Sequence, residues 1–143
     1  MQILTHSAKE TQDVAGSVLK NVHEASIIAL YGDLGSGKTT FVQGLAKELG
    51  VVGRVNSPTF LIHKTYKTGD KKIIRLHHFD LYRLGDEQEI AAIGLEDVLS
   101  EPDSLIVIEW PEKADKLLPA NRINIHFEYK NDSERLLKID SAL

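Results

Sequence analysis

The sequence lacks cysteine entirely, contains one tryptophan and one methionine, and has no long apolar run. Without cysteine, a disulfide scaffold, a thiol nucleophile and a cysteine-ligated zinc site are all excluded. No stretch approaches the roughly 18 apolar residues that span a bilayer, and residues 1–6 lack the basic and apolar regions of a signal peptide. We therefore expect a cytoplasmic protein that does not associate with a membrane.

The length and composition are those of a small globular domain. The chain has 143 residues, of which 42% are hydrophobic and 27% are charged. A chain of this size buries a core without disulfides or metal ions, and no linker, repeat or low-complexity segment interrupts it. We expect one domain over residues 1–143.

The formal net charge of −4 hides an uneven distribution. The charged residues in 54–83 are mainly basic, whereas residues 84–115 contain many carboxylates and a single lysine. Such asymmetry is typical of docking surfaces or nucleic-acid contacts, and it is equally compatible with two solvated faces of a folded domain. Both interpretations stay open at this point.

The most informative segment is residues 32–39, G-D-L-G-S-G-K-T, which matches the phosphate-loop pattern G-x-x-x-x-G-K-[ST]. It follows a short β-branched run at residues 26–31 and precedes a helical pattern that ends at Gly50. Between such elements, backbone N–H groups and the positive end of a helix converge on one concavity. The segment therefore predicts a binding site for nucleotide phosphates.

Each residue type in the loop has a defined use. Gly35, Ser36 and Gly37 let the backbone approach the phosphates closely, and Lys38 reaches the β- and γ-phosphates. The Thr39 hydroxyl is suited to a Mg²⁺ ion that the phosphates already hold. No Asn-Lys-x-Asp guanine-reading motif occurs in the chain, so ATP or ADP is favoured over GTP.

The rest of the pattern alternates strands with helices. Apolar runs at residues 26–31 and 105–108 are typical of strands buried on both faces. We expect an α/β fold with a parallel sheet centre, helices on both faces and antiparallel hairpin edges. Further elements are predicted as follows: a strand near Ile3, a helix after Ser7, strands at 60–67 and 73–79, a helix at 86–99 broken at Gly94, a helix at 112–118, and a closing hairpin of 122–129 with 135–139.

Two carboxylates end predicted strands. Glu109 follows the run at residues 105–108, and Asp80 ends the strand before it. A carboxylate at this position beside a phosphate loop holds Mg²⁺ directly or through water, or it orients the attacking water or an acceptor hydroxyl. We expect Glu109 and Asp80 to divide these tasks, in an order that the sequence leaves open.

Other candidates have weaker signals. Trp110 follows Glu109 directly, which is compatible with a place beside the nucleotide or with packing in the core or a lid. Thr59 lies in the loop after the phosphate-loop helix, where switch threonines sense a γ-phosphate. His77 and His78 lack the spacing of a transition-metal site, so a structural or phosphate-adjacent role is favoured.

Five motifs together resemble those of the bacterial TsaE (YjeE) family. They are G-D-L-G-S-G-K-T-T-F at 32–41, V-N-S-P-T-F at 55–60, H-F-D-L-Y-R at 78–83, I-G-L-E at 93–96 and I-E-W-P-E at 108–112. They occur in the family's order over most of the chain. The resemblance implies a small ATPase that is required for the threonylcarbamoyladenosine modification of tRNA and acts with the TsaD and TsaB proteins.

The resemblance also implies roles for individual residues. Thr39 and Glu109 would hold Mg²⁺, Thr40 would bind near the α-phosphate, and Trp110 would line the site. Asp80 and Thr59 would serve nucleotide sensing or hydrolysis. Thr11 would lie near the adenosine end of the nucleotide, and a basic hairpin carrying Lys64, Lys67, Lys71 and Lys72 would lie next to the site and meet the partner proteins or their tRNA.

Three functional classes remain. The chain is an ATPase accessory factor, a small-molecule kinase, or a nucleotide-gated binding module that hardly turns over. A kinase normally has a lid with paired arginines, and Arg83 is the nearest single candidate. Because no arginine finger is visible in the chain, we expect weak intrinsic hydrolysis that partners complete.

Overall fold

The computed structural model describes residues 1–22, 27–56 and 62–141. One seven-stranded sheet is flanked by helices. In chain order the elements are β1 (Gln2–Thr5), α1 (Ala8–Leu19), β2 (Ile27–Tyr31), α2 (Lys38–Glu48), β3 (His63–Lys67), β4 (Arg75–Asp80), α3 (Glu87–Ala92), α4 (Leu95–Leu99), β5 (Ser104–Glu109), a 3₁₀ helix (Pro111–Ala114), β6 (Ile123–Tyr129) and β7 (Arg135–Ser141).

The strand order in the sheet is β1-β7-β6-β2-β5-β4-β3. The four central strands β6, β2, β5 and β4 run parallel to one another. The outer pairs β1–β7, β7–β6 and β4–β3 are antiparallel. The sequence-based prediction of a parallel centre with antiparallel hairpin edges is therefore confirmed.

The core lies in two layers, one on each face of the sheet. Alternate residues of β2 enter different layers, with Ile28 and Leu30 on one face and Ile27 on the other. Helices α1 and α2 cover the first face, whereas α3, α4 and the 3₁₀ helix cover the second. Strands buried on both faces need apolar side chains throughout, which explains the continuous apolar runs in β2 and β5.

Local signals define the helix boundaries. The Ser7 hydroxyl accepts from the Glu10 backbone N–H at 3.1 Å and caps α1. Asp86 caps α3 in the same way, through a bond from the Glu89 N–H at 2.8 Å. Gly94, with a φ of 76°, separates α3 from α4 at the predicted break.

Two predicted boundaries were wrong. A helix was expected at residues 112–118, but only a 3₁₀ helix forms at Pro111–Ala114. The Leu117 N–H then donates to the Ala114 carbonyl at 2.9 Å, a bond between residues three apart that is typical of a 3₁₀ turn and not of an α-helix. Strand β4 begins at Arg75 rather than at residue 73, since the N–H of Ile74 donates to Asp103 outside the sheet ladder.

Three predictions fall partly outside the described residues: the loop that contains Thr59, the first residues of the strand at 60–67, and residue 26 of the strand at 26–31. In the part of the chain that the structure describes, no helix has the length and apolar character required to cross a bilayer.

Candidate functional site

The loop at residues 32–37 connects β2, a central strand, to the first turn of α2. Gly32, Gly35 and Gly37 have φ angles of 147°, 78° and 106°, in the region that favours glycine. A Cβ atom on Gly32 would lie 2.8 Å from the Phe127 carbonyl oxygen and 2.7 Å from the Ser36 hydroxyl. Only glycine fits at this position, so the tight turn after β2 depends on it.

Lys38 begins α2 and carries a buried ammonium group. The side chain is 4% exposed, and its Nζ atom donates to the Gly32 carbonyl at 2.5 Å. Burial lowers the pKa of Lys38, and the nearby carboxylates of Glu109 and Asp80 oppose that shift. The molecule therefore holds a partly desolvated cation beside the glycine-rich loop.

Ser36 is a buried residue of the same loop. It is 1% exposed, and its hydroxyl has no hydrogen-bond partner among the described residues. The hydroxyl lies beside Gly32, inside the turn, and Ser36 does not line the cavity above the loop. The Lys38 ammonium and the N-terminus of α2 are therefore the groups that suit a bound phosphate.

A cavity of about 510 Å³ opens above the loop. The predicted site residues that line it are Gly35, Gly37, Lys38, Thr39, Thr40, Asp80, Glu109 and Trp110. They come from the loop, α2 and the carboxyl ends of β4 and β5. In parallel sheets these ends meet at one edge, which explains why residues far apart in sequence converge here.

Asp80 and Glu109 are direct neighbours in the parallel ladder of β4 and β5. Glu109 is 3% exposed, and its Oε2 atom accepts from His78 Nε2 at 2.5 Å. Asp80 accepts from the Tyr82 backbone N–H at 3.1 Å through Oδ1. Two carboxylates of this kind offer oxygen ligands for a divalent cation or acceptors for the proton of a nucleophile.

A fully protein-built metal centre is not present in the described residues, where no group of three His, Cys, Asp or Glu side chains is arranged to hold an ion. The Thr39 hydroxyl and the two carboxylates are oxygen donors on the wall of the cavity. This donor set suits Mg²⁺, which is usually held by one or two protein oxygens together with phosphates and water.

Trp110 lies on the cavity wall and also packs against the core. Its ring centroid lies 4.0 Å from Lys38 Nζ and 5.0 Å from the ring centroid of Tyr82. The residue also packs against the core layer that includes Ile108. Its backbone has a φ of 59° and a ψ of 49°, which turns the chain sharply after Glu109 and is uncommon for a bulky residue.

A second cavity, of about 320 Å³, adjoins the first. Gly37, Thr40 and Arg135 line both cavities, so the two meet at the start of α2. Thr11 lines the second cavity, and its hydroxyl is 2.8 Å from that of Thr5. Thr59, the remaining candidate, lies outside the described residues.

Arg135 was missed in the sequence because no motif includes it. Its side chain lies over Gly37, where a Cβ atom would be 3.6 Å from Arg135 Cγ. The guanidinium donates to the carbonyls of Asn131 and Glu134, and its buried Nε has no partner among the described residues. Arg83, the single arginine that the sequence suggested as a lid candidate, also lies on the cavity wall.

A separate polar cluster lies on the opposite face of β4 from His78. His77 donates from Nε2 to Glu101 at 2.6 Å, and its Nδ1 lies 2.9 Å from His63 Nε2. The His63 ring stacks on Phe79 with centroids 4.0 Å apart. Burial and the neighbouring His77 lower the pKa of His63 to about 4.

The turn of the basic hairpin lies away from the site, contrary to the expectation, whereas Lys64 lies near the carboxyl end of β4 as the ladder partner of His78. Lys71 and Lys72 lie in the turn that precedes Arg75, at the amino end of β4, whereas Asp80 lies at its carboxyl end. At roughly 3.3 Å per residue the two ends are about 17 Å apart. The lysines of this turn therefore form a surface distinct from the cavity.

Comparison with known proteins gives consistent matches. Residues 5–137 match the family model described as "Threonylcarbamoyl adenosine biosynthesis protein TsaE". The chain is 37% identical over 121 residues to the "tRNA threonylcarbamoyladenosine biosynthesis protein TsaE" of Haemophilus influenzae, covering 83% of this chain and 74% of that protein. It is 36% identical over 131 residues to the protein of the same name from Bacillus subtilis, covering 92% and 79%.

A solved structure agrees with the sequence matches. The crystal structure of YdiB from Bacillus subtilis aligns with a TM-score of 0.79 and 26% identity, covering 100% of this chain and 86% of that one. The fold is thus phosphate-loop NTPase-like, as predicted. Because the family model spans almost the whole chain, this protein belongs to the TsaE family, whose members act in the biosynthesis of threonylcarbamoyladenosine in tRNA.

Proposed function

We propose that this protein binds Mg-ATP in the cavity above the phosphate loop and hydrolyses it slowly. In this proposal the nucleotide cycle regulates a complex of the TsaD and TsaB proteins during threonylcarbamoyladenosine modification of tRNA. The observation that carries the proposal is the buried ammonium of Lys38 at the N-terminus of α2, on the wall of the same cavity as the carboxylates of Asp80 and Glu109. The ammonium and the free N–H groups of the helix end would bind an anionic oxygen that enters this cavity.

The residues divide the work by their chemistry. Lys38 and the N–H groups around Gly35, Ser36 and Gly37 would neutralise and orient the β- and γ-phosphates. Thr39 and Glu109 would hold Mg²⁺, which neutralises phosphate charge when bound. Asp80, next to Glu109 in the ladder, would accept the proton of the attacking water or hold that water in place. We retain Thr59 as a candidate γ-phosphate sensor.

The nucleoside end of ATP would extend from the first cavity toward the second. Thr40 and Arg135 border both, which suits contacts with the α-phosphate. Thr11 would lie near the adenosine in the second cavity. Trp110, on the opposite wall beside Lys38, would line the phosphate end.

Slow hydrolysis by the isolated chain remains our expectation, on revised grounds. Arg135 is engaged by the Asn131 and Glu134 carbonyls at the junction of the two cavities, on the α-phosphate side. An arginine finger must instead reach the γ-phosphate as charge develops there. This geometry favours a role for Arg135 in binding over a role in turnover.

Two measurements on purified protein test the proposal. Calorimetry with ATP and with ADP in magnesium buffer should show binding of both, and an absence of heat on well-folded protein would overturn the nucleotide site. Steady-state phosphate release should be slow for the chain alone and change when TsaD and TsaB are added. Rapid release by the chain alone would refute the partner-dependent cycle.

The cellular role has its own readout. Depletion of the protein should lower the threonylcarbamoyladenosine content of tRNAs that read codons beginning with adenine. Unchanged modification after complete depletion would contradict the proposed role. A nucleotide-gated module without turnover would instead restore modification when supplied as a variant that binds but does not hydrolyse ATP.

The basic turn is our candidate for contact with the partner complex or its tRNA. Charge reversal at Lys71 and Lys72 should weaken association at low salt and leave nucleotide binding intact, because the turn is remote from the cavity. Unchanged complex formation at both low and moderate salt would exclude this surface.

One observation favours a second candidate, phosphoryl transfer to a small acceptor. Arg83 lines the first cavity together with Asp80 and is absent from the second, as expected of an arginine that contacts a transferred phosphoryl group. A kinase would convert ATP to ADP without releasing phosphate when its acceptor is present. Equal amounts of ADP and free phosphate under all conditions would argue against it.

A further inference from the structure

His78 is a buried side chain that the proposed roles leave unused. It is 0% exposed, and its Nε2 atom lies 2.5 Å from Glu109 Oε2. A carboxylate oxygen accepts, so the imidazole donates through Nε2. The other ring nitrogen, Nδ1, is buried and has no partner within the described residues.

The sheet register brings the pair together. His78 and Asp80 lie on the same face of β4, two residues apart, and Glu109 is the neighbour of Asp80 on β5. The neighbour of His78 in the ladder is Val107, so the hydrogen bond to Glu109 joins side chains that are two residues apart in register. The bond engages one carboxylate oxygen and leaves Oε1 for a ligand in the cavity.

A purely structural role explains this arrangement poorly. His78 is surrounded on its face by an apolar layer that includes Leu76, Val107 and Leu30. A buried polar pair in such a layer often contributes no more stability than a well-packed apolar one. Its one hydrogen bond to the described residues is directed at a carboxylate on the cavity wall.

We propose that His78 is a positioning residue that fixes the Glu109 carboxylate for Mg²⁺ and the triphosphate. This inference rests on the proposed function. Residues that orient a metal ligand by a hydrogen bond commonly change metal affinity or activity 10- to 100-fold when removed. The imidazole would set which Glu109 oxygen faces the cavity without touching the nucleotide itself.

The chain offers a matched control for the test. His77 is the preceding residue on the same strand, is also buried, and also bonds a glutamate, Glu101, but on the opposite face. His77→Leu therefore removes a partly buried histidine–glutamate hydrogen bond, together with the Nδ1 contacts to His63 and Thr65, without touching Glu109. Within His78 itself, glutamine carries an amide nitrogen near the position of Nε2, whereas asparagine carries one near Nδ1 and does not reach Glu109.

The experiment compares the calorimetric Kd for ATP in magnesium with that in EDTA, together with kcat and KM. In His78→Leu and His78→Asn, we expect the gain in affinity from magnesium to fall about 10-fold and kcat to fall similarly. Each His78 variant should keep the wild-type Kd for ATP in EDTA, which shows that it is folded. Its melting temperature is compared with that of His77→Leu. His78→Gln should retain most of the wild-type gain, and His77→Leu should retain all of it.

A Glu109→Gln background completes the design. If His78 acts through Glu109, His78→Asn in that background should cause little further loss of the magnesium-dependent gain. A normal gain and kcat in His78→Asn would overturn the inference, as would an equal loss with Glu109→Gln already present. Failure of the wild-type chain to bind ATP at all would overturn the proposed function instead. If His78→Leu does not fold, the Asn and Gln variants decide the question alone.

Discussion

The ammonium group of Lys38 lies 4.0 Å from the centroid of the Trp110 ring, so the cation that would neutralise phosphate is covered by the only tryptophan of the chain. A cation over an indole face is attracted by the ring quadrupole. Lys38 also donates to the Gly32 carbonyl, and an incoming phosphate would compete with both contacts. The phosphate site and the tryptophan are therefore coupled.

Nucleotide binding should change the fluorescence of Trp110, because phosphate would draw the ammonium away from the ring. Titration of the wild-type protein with Mg-ATP should give a saturable change in tryptophan emission with the same Kd as calorimetry. In Lys38→Met the emission of the free protein should differ and respond little to ATP. Binding by calorimetry with unchanged emission would show that the contact persists in the complex.

Lys38→Ala should lower the affinity for ATP and ADP at least about 100-fold, since phosphate charge would be left uncompensated in a partly desolvated site. The measurement is calorimetry in magnesium buffer. Lys47, an exposed lysine on the same helix, provides the control, and Lys47→Ala should bind as the wild type does. A loss of only a few-fold in Lys38→Ala would mean that the loop amides carry most of the binding.

Glu109→Gln should reduce kcat by about 100-fold or more while ATP binding in EDTA stays within a few-fold of the wild type. The substitution keeps an oxygen that accepts from His78 and removes the charge that Mg²⁺ requires. Single-turnover kinetics and calorimetry separate the two effects. An equally large loss of binding in EDTA would show that Glu109 supports the loop rather than the metal.

The stability of the protein should decrease as the pH falls from about 6.5 to about 4, partly through His63. Its folded-state pKa is lowered from 6.5 to about 4, so within this window the unfolded chain binds a proton that the folded chain does not. Above pH 6.5 neither state binds it, and the contribution to stability is complete. Solvent screening of the half-buried ring limits the effect to less than about 1 kcal/mol per pH unit.

His63→Phe keeps a ring against Phe79 and removes this proton site. The difference between the urea midpoints at pH 7.5 and pH 5 should therefore be smaller in His63→Phe than in the wild type. His126→Phe replaces a histidine on the exposed side of β6 and should retain the wild-type difference. An identical pH dependence in all three proteins would refute the assignment.

The sequence predicted those parts of the fold that follow from local chemistry. The glycines and Lys38 of the loop have a spacing that few other structures require, and the apolar runs of β2 and β5 have few alternatives to central strands. The capping residue Ser7 likewise acts within one turn of chain, whereas Asp86, predicted as the first residue of a helix, is its N-cap. Asp80 and Glu109 could be predicted because both end strands that are parallel.

Contacts between segments that are distant in the sequence could not be predicted from local patterns. Arg135 reaches the phosphate loop because β6 and β7 fold back as a hairpin, and no local pattern shows where such a hairpin packs. The bond from His78 to Glu109 depends on the register of two strands, which a single sequence does not fix. The same limit led to the wrong placement of the lysines near residue 71, since strand direction decides which end of the hairpin meets the site.

The neighbour relationship of Asp80 and Glu109 constrains how this family member can change. Strand side chains alternate between faces, so deleting or inserting one residue within β4 would swing Asp80 and His78 to the far side of the sheet. Loops elsewhere tolerate length changes that these six residues do not. Evolutionary drift in chain length should therefore be confined to the connections, and the spacing between the two histidines and Asp80 should be as rigid as the phosphate loop itself.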